Sequence, residues 1–71
     1  MRVESFAYLV ELEKTGSINA AAKNLFISQQ GLSKAITSLE RDMGVRLVEK
    51  SRFGTRFTKA GRIVLEHAKS I

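Results

Sequence analysis

Ser17 and Ser28 each stand directly before a run whose apolar residues recur at helical spacing, and only the short apolar turn around Leu25-Phe26-Ile27 parts the two runs. A serine in that position accepts a hydrogen bond from an otherwise unpaired backbone N–H of the first helical turn, so each is a good N-cap. After Ser17, the residues Ile18, Ala21, Ala22 and Leu25 fall on one helical face, and the small Ala20, Ala21 and Ala22 allow another helix to come close. After Ser28, a longer stripe of Leu32, Ala35, Ile36, Leu39 and Met43 ends at Gly44, where a left-handed C-terminal glycine belongs. Two short helices joined by so tight a turn make a helix-turn-helix.

The flanks supply what that motif lacks. Upstream, Val3, Phe6, Ala7 and Val10, with Leu9 beside them, predict a first helix over about Val3 to Lys14, and "TGS" breaks it at Gly16. Downstream, the period changes. Leu47–Lys50 and Thr55–Phe57 read as two strands of a β-hairpin with its tip at Ser51–Gly54. Thr58 then caps a fourth helix with Ala60, Ile63, Val64, and further on Ala68 and Ile71, toward one side. That helix is still running at residue 71, as in a fragment of a longer protein. The expected fold is mainly α: a winged helix-turn-helix over residues 1–57, with 58–71 as the start of a linker helix. At 71 residues, a chain buries only about 60% of its unfolded surface. With 44% hydrophobic residues it has enough apolar side chains for one compact core.

Composition removes several function classes. The absence of cysteine leaves no disulfide or thiolate metal site, which suits a reducing cytoplasm. The lone His67, among Glu66 and Lys69, gives no plausible triad geometry, and one histidine cannot build a metal site. Ser17 and Ser28 are therefore caps rather than nucleophiles, and no enzymatic activity, cofactor or metal is expected. No apolar run nears the roughly 18 residues of a membrane span, and "MRVESF" lacks the apolar core of a signal peptide. The net charge of +5 points to a polyanionic partner. Its distribution is uneven. Up to residue 45, Arg2, Lys14, Lys23, Lys34 and Arg41 are balanced by Glu4, Glu11, Glu13, Glu40 and Asp42, so the whole excess lies from Arg46 onward. No carboxylate occurs between Glu13 and Glu40, a gap that an anion-binding surface requires.

The ordered set Gly16-Ser17, Ala21-Ala22, Leu25, Ser28-Gln29, Leu39-Glu40, Gly44-Val45 with Leu47, and Thr58 with Ala60-Gly61 closely resembles the N-terminal domain of LysR-type transcriptional regulators over roughly residues 3 to 69. The specificity lies in the order and spacing, not in any one piece. The chain departs from the family pattern at Gln30, where proline is frequent, at Ile18 and Val48, where phenylalanine is, and at Lys50, where arginine is. The resemblance implies a bacterial, cytoplasmic, nucleoid-associated DNA-binding domain. It also implies a homodimer, or a tetramer, paired through the linker helix, and a small-molecule effector bound by a separate C-terminal domain. Ile63, Val64 and Ile71 would then form part of the dimer seam.

With the apolar stripe turned inward, Gln29, Gln30, Ser33, Lys34 and Thr37 face out near the start of the third helix. By composition alone they are an ordinary solvated face. In a helix-turn-helix they suit base edges, because glutamine pairs with adenine N6/N7, lysine donates to guanine O6/N7, and serine or threonine fits several edges. The recognition helix is thus placed at about 28–43 in the major groove, and the basic wing at about 46–57 on the backbone and the minor groove, which Arg52 or a neighbour would enter. Ser17 and Ser28, each at a helix N-terminus, are phosphate-contact candidates together with Lys23, Lys50, Arg52 and Arg56. A basic hairpin also serves simply to discourage strand pairing. Phe53 is open between a sugar contact and a return to the core, and Glu40, Arg41 and Asp42 between a solvated face and support for the wing. The rival from another class is a winged helix that uses the same face for a protein; a weaker third is an amphipathic module on anionic membrane.

Overall fold

The computed structural model describes residues 3–70, so Ile71, the side chain of Val3, and the N-terminal residues before it lie outside the described residues. Helices α1 (Val3–Thr15), α2 (Ile18–Leu25) and α3 (Gln29–Met43) are followed by strands β1 (Val48–Ser51) and β2 (Gly54–Phe57) and by α4 (Lys59–Lys69). This is a winged helix-turn-helix. The strands pair antiparallel in the register Val48↔Phe57 through Ser51↔Gly54, which leaves Arg52 and Phe53 as a two-residue turn. The first strand therefore begins one residue later than the sequence suggests.

The three caps form as local chemistry demands. Ser17 Oγ accepts from Ala20 N–H at 3.3 Å, Ser28 Oγ from Gly31 N–H at 2.9 Å, and Thr58 Oγ1 from Gly61 N–H at 2.9 Å. Gly44 ends α3 at φ 73°, in the left-handed region. At the end of α2 that role falls to Phe26, at φ 60°, with Phe26 N–H on Lys23 O and Ile27 N–H on Ala22 O. A non-glycine residue there costs roughly 1–2 kcal/mol, and the two carbonyls it satisfies, with Ile27 packed against the core, offset it.

One core joins all four helices: Leu9 and Leu12, Ala21 and Ala22, Leu32, Ile36 and Leu39, Leu47, and Val64 and Leu65. Three expectations are corrected by it. In α1 the inward side holds Ser5, Leu9 and Leu12, whereas Ala7 is exposed and Phe6 and Val10 are only half-buried. The reason is that α1 touches α2, α3 and α4, so more than one of its faces is covered. In α3 the stripe stops at Leu39, and Met43 lies at the exposed rim. In α4 the core takes Gly61, Val64, Leu65 and Ala68, while Ile63 is 56% exposed. Val64, expected at a dimer seam, is buried in the core of the single chain at 8% exposure. Since Val64 and Leu65 share a cluster with Leu9, the core runs across the boundary expected at residue 57. Lys69 Nζ adds a polar latch to α1 at 2.9 Å from Glu13 Oε1, and that carboxylate raises the lysine pKa above its ordinary value.

Candidate nucleic-acid interface

The face opposite the core is built from the start of α2, the start of α3 and the wing. All five residues expected to read bases, Gln29, Gln30, Ser33, Lys34 and Thr37, are exposed on α3. A cleft lined by Ser17, Asn19, Gln29, Ser33, Lys50 and Thr55 joins these elements, and a second depression along α3 holds Ser33, Lys34, Thr37 and Arg41. The fold thus brings Ser17, Gln29, Ser33 and Lys50, far apart in sequence, to one opening. Lys23 is exposed in the last turn of α2, apart from both depressions. Asn19 was not foreseen. The signal for it was present, because it is polar, lies off the Ile18/Ala21/Ala22 stripe, and falls in the first turn after a capping serine.

The wing is held from three sides. Glu40 reaches from α3 to accept hydrogen bonds from Leu47 N–H at 2.7 Å and Val48 N–H at 3.2 Å on one carboxylate oxygen. The Glu40 side chain is only 14% exposed, which strengthens bonds to its charge. Arg46 Nε is also 3.7 Å from that oxygen but is 76% exposed, so it adds little. From the α1–α2 loop, Gly16 O accepts from Thr55 N–H at 3.1 Å. Gly54, at φ 123°, passes so near that a Cβ there would lie 2.6 Å from the same carbonyl oxygen. From the α4 side, Thr58 N–H donates to Leu47 O at 2.9 Å and Thr58 Oγ1 to Arg46 O at 2.6 Å. Of the two readings open for Glu40, the structure selects support of the wing.

Electrostatically the wing cations are not equal. Arg56 Nε is 3.1 Å from Glu49 Oε2 across the strand pair, so part of its charge is already answered. Lys50 and Arg52 are exposed, and Lys50 opens into the cleft. The capping oxygens of Ser17 and Ser28 act as acceptors toward the backbone, and each hydroxyl keeps its proton to donate to a phosphate. Among the described residues no group of three or more His, Cys, Asp or Glu is placed to hold a metal. No helix among them is long and apolar enough to cross a membrane.

Three comparisons bear on this face. The pattern described as bacterial regulatory helix-turn-helix protein, lysR family, matches residues 3–62. The HTH-type transcriptional regulator TfdT of Cupriavidus pinatubonensis (strain JMP 134 / LMG 1197) is 34% identical over 71 residues, 100% of this chain and 31% of that protein. Among solved structures, CbnR, a LysR family transcriptional regulator, superposes with a TM-score of 0.93 at 36% identity, covering 99% of this chain and 24% of CbnR. A CbnR DNA-binding domain in complex with DNA gives 0.92 at 36% identity, covering 99% of this chain and 80% of that one. The chain thus spans about a third or less of the full-length relatives it matches and most of the isolated domain.

Proposed function

The chain belongs to the lysR family of bacterial regulatory helix-turn-helix proteins, and we propose that it binds double-stranded DNA sequence-specifically, with α3 in the major groove and the wing on the backbone and the adjacent minor groove. It is a regulator's DNA-binding domain, not an enzyme. One observation carries the reading: the cleft in which Ser17, Gln29, Ser33 and Lys50 meet, continuous with the exposed polar face of α3.

Within it, Gln29 and Gln30 are the adenine readers, Lys34 the guanine reader, and Ser33 and Thr37 adaptable contacts. Gln30 gives this chain a donor and acceptor where relatives with proline have neither. Ser17, Ser28, Lys23, Lys50 and Arg52 grip phosphates, and Arg56 joins them when its bond to Glu49 yields. Helix α4 (Lys59–Lys69) is the start of the linker helix, on which Ile63, exposed in the single chain, supports a dimer seam; Ile71, assigned to the same seam, lies outside the described residues. For the whole protein we propose a homodimer or tetramer, a separate effector-binding domain, and a place in the cytoplasm on the nucleoid.

Binding to duplex DNA will weaken steeply with salt. Three phosphate-directed cations, Lys23, Lys50 and Arg52, at about −0.9 each give a slope of log K on log salt near −3 or steeper per chain. A flat salt response would remove DNA and favour the protein-interaction reading. On sites selected from a random duplex pool, Gln29→Ala and Lys34→Ala will each reduce preference by about 1–3 kcal/mol while affecting random duplex less. Equal losses on both duplexes demote these residues to backbone contacts.

A further inference from the structure

Phe53 is 91% exposed, and its ring is not among the side chains packed on the core. It occupies the wing's two-residue turn beside Arg52, between paired Ser51 and Gly54. The tip is braced: Ser51 Oγ donates to Gly54 O at 3.0 Å and accepts from Phe53 N–H at 3.3 Å. Lower down, Thr55 and Leu47 tie the strands to Gly16 and Glu40. A large apolar ring is therefore presented on a firm support, with the exposed cations Lys50 and Arg52 close by in the chain and the cleft of Ser17, Gln29 and Ser33 at the wing's base.

We propose that Phe53 is a DNA-contact residue whose ring lies on the deoxyribose wall of the minor groove beside the site read by α3; this rests on the DNA-binding reading above. A DNA strand alternates anionic phosphates with apolar sugar faces, and the wing tip alternates cations with one apolar ring. The cations meet the phosphates and the ring meets the sugar between them. Minor-groove binders carry apolar side chains, phenylalanine among them, into that groove, and burial of a phenylalanine ring against the apolar face of a sugar is favourable because it removes apolar surface from water. The positive surroundings argue for this partner over a protein, since Lys50 and Arg52 would each need a carboxylate there.

The test uses the 71-residue chain and a fluorescent 30-base-pair duplex carrying a site selected from a random pool, titrated over a salt series. Phe53→Ala will weaken binding about tenfold, as partial loss of one ring's burial implies. It will leave the salt slope unchanged, because no counterion is released by an apolar contact. Phe53→Leu will keep most of the affinity. Arg52→Ala, by contrast, will reduce the slope magnitude by about one. Hydroxyl-radical footprints, which read deoxyribose exposure, will lose protection at one edge of the site in Phe53→Ala alone. If Phe53→Ala binds within twofold of the parent with an unchanged footprint, the proposal is overturned and the ring serves another partner. Failure of the parent chain itself to bind with a salt slope overturns the DNA reading instead, so the two failures are distinguishable. Unchanged thermal melting of Phe53→Ala excludes a folding effect, as expected for a side chain outside the core.

Discussion

Gly61→Ala will destabilise the domain by about 3 kcal/mol, the largest effect expected of any single methyl group in this chain. Gly61 is buried in the first turn of α4, where its backbone lies directly on Leu47. A Cβ at that position would overlap the Leu47 carbonyl group. The carbonyl cannot swing aside, because it accepts from Thr58 N–H at 2.9 Å and Leu47 itself is fully buried. The helix must move instead, which stretches that hydrogen bond, worth about 1 kcal/mol. It also loosens Val64 and Leu65 in the core. Alanine's better helix propensity returns only about 1 kcal/mol. A domain of this size has a total stability of roughly 4–10 kcal/mol, so the loss lowers the melting temperature by about 12–24 °C. Gly44→Ala is the control. Gly44 has φ 73° and nothing within 4 Å of an added Cβ, so it incurs only the left-handed backbone cost of roughly 1–2 kcal/mol. If Gly61→Ala melts as high as Gly44→Ala, the close approach of α4 to Leu47 is not what the glycine is for.

This glycine illustrates which parts of the structure were legible in the sequence. Caps are decided within one helical turn, so Ser17, Ser28, Gly44 and Thr58 could be assigned by residue type and position alone. The outward set on α3 was equally legible, because a single strong stripe at Leu32, Ile36 and Leu39 fixes the opposite face. In α1 two faces carry apolar residues, and the spacing fits Phe6, Ala7 and Val10 as well as Leu9 and Leu12. Three neighbouring helices decided between them, and no local pattern reports on those. Leu47 shows the same limit. It reads as the first residue of a strand, yet it is a fully buried side chain whose N–H and C=O are held by Glu40 and Thr58. Gly61 was visible as part of a motif, but its reason is an approach to a residue fourteen positions earlier. Convergence of Ser17, Gln29, Ser33 and Lys50 on one cleft is likewise a property of the tertiary fold.

Glu40→Ala will cost about 2–3 kcal/mol and, unlike most charge removals near a polyanion site, will weaken DNA binding. The stability term is direct. The carboxylate accepts from Leu47 N–H at 2.7 Å and Val48 N–H at 3.2 Å, and hydrogen bonds to a charged group contribute about 1.5–3 kcal/mol. Without it, two partly buried donors at the entry to the wing are left to find water. A melting temperature lower by about 8–24 °C follows. The binding term has two opposed parts. Removing one negative charge makes the surface more basic, which by itself favours a polyanion. Glu40 also fixes the strand that carries Lys50 and leads to Arg52, and a wing free to move holds those cations on phosphates for less of the time. The second part dominates because the lost carboxylate is a single charge whose side chain is only 14% exposed, while each displaced cation forfeits about 0.9 in salt slope. Glu40→Gln separates the parts: its amide oxygen still accepts, so it will lose about half the stability and keep the slope. Amide exchange at Leu47 and Val48 gives the independent readout, with faster exchange in Glu40→Ala than in Glu40→Gln. Tighter DNA binding by Glu40→Ala with both amides still protected would mean that the carboxylate acts only as a charge and that Gly16 and Thr58 suffice to seat the wing.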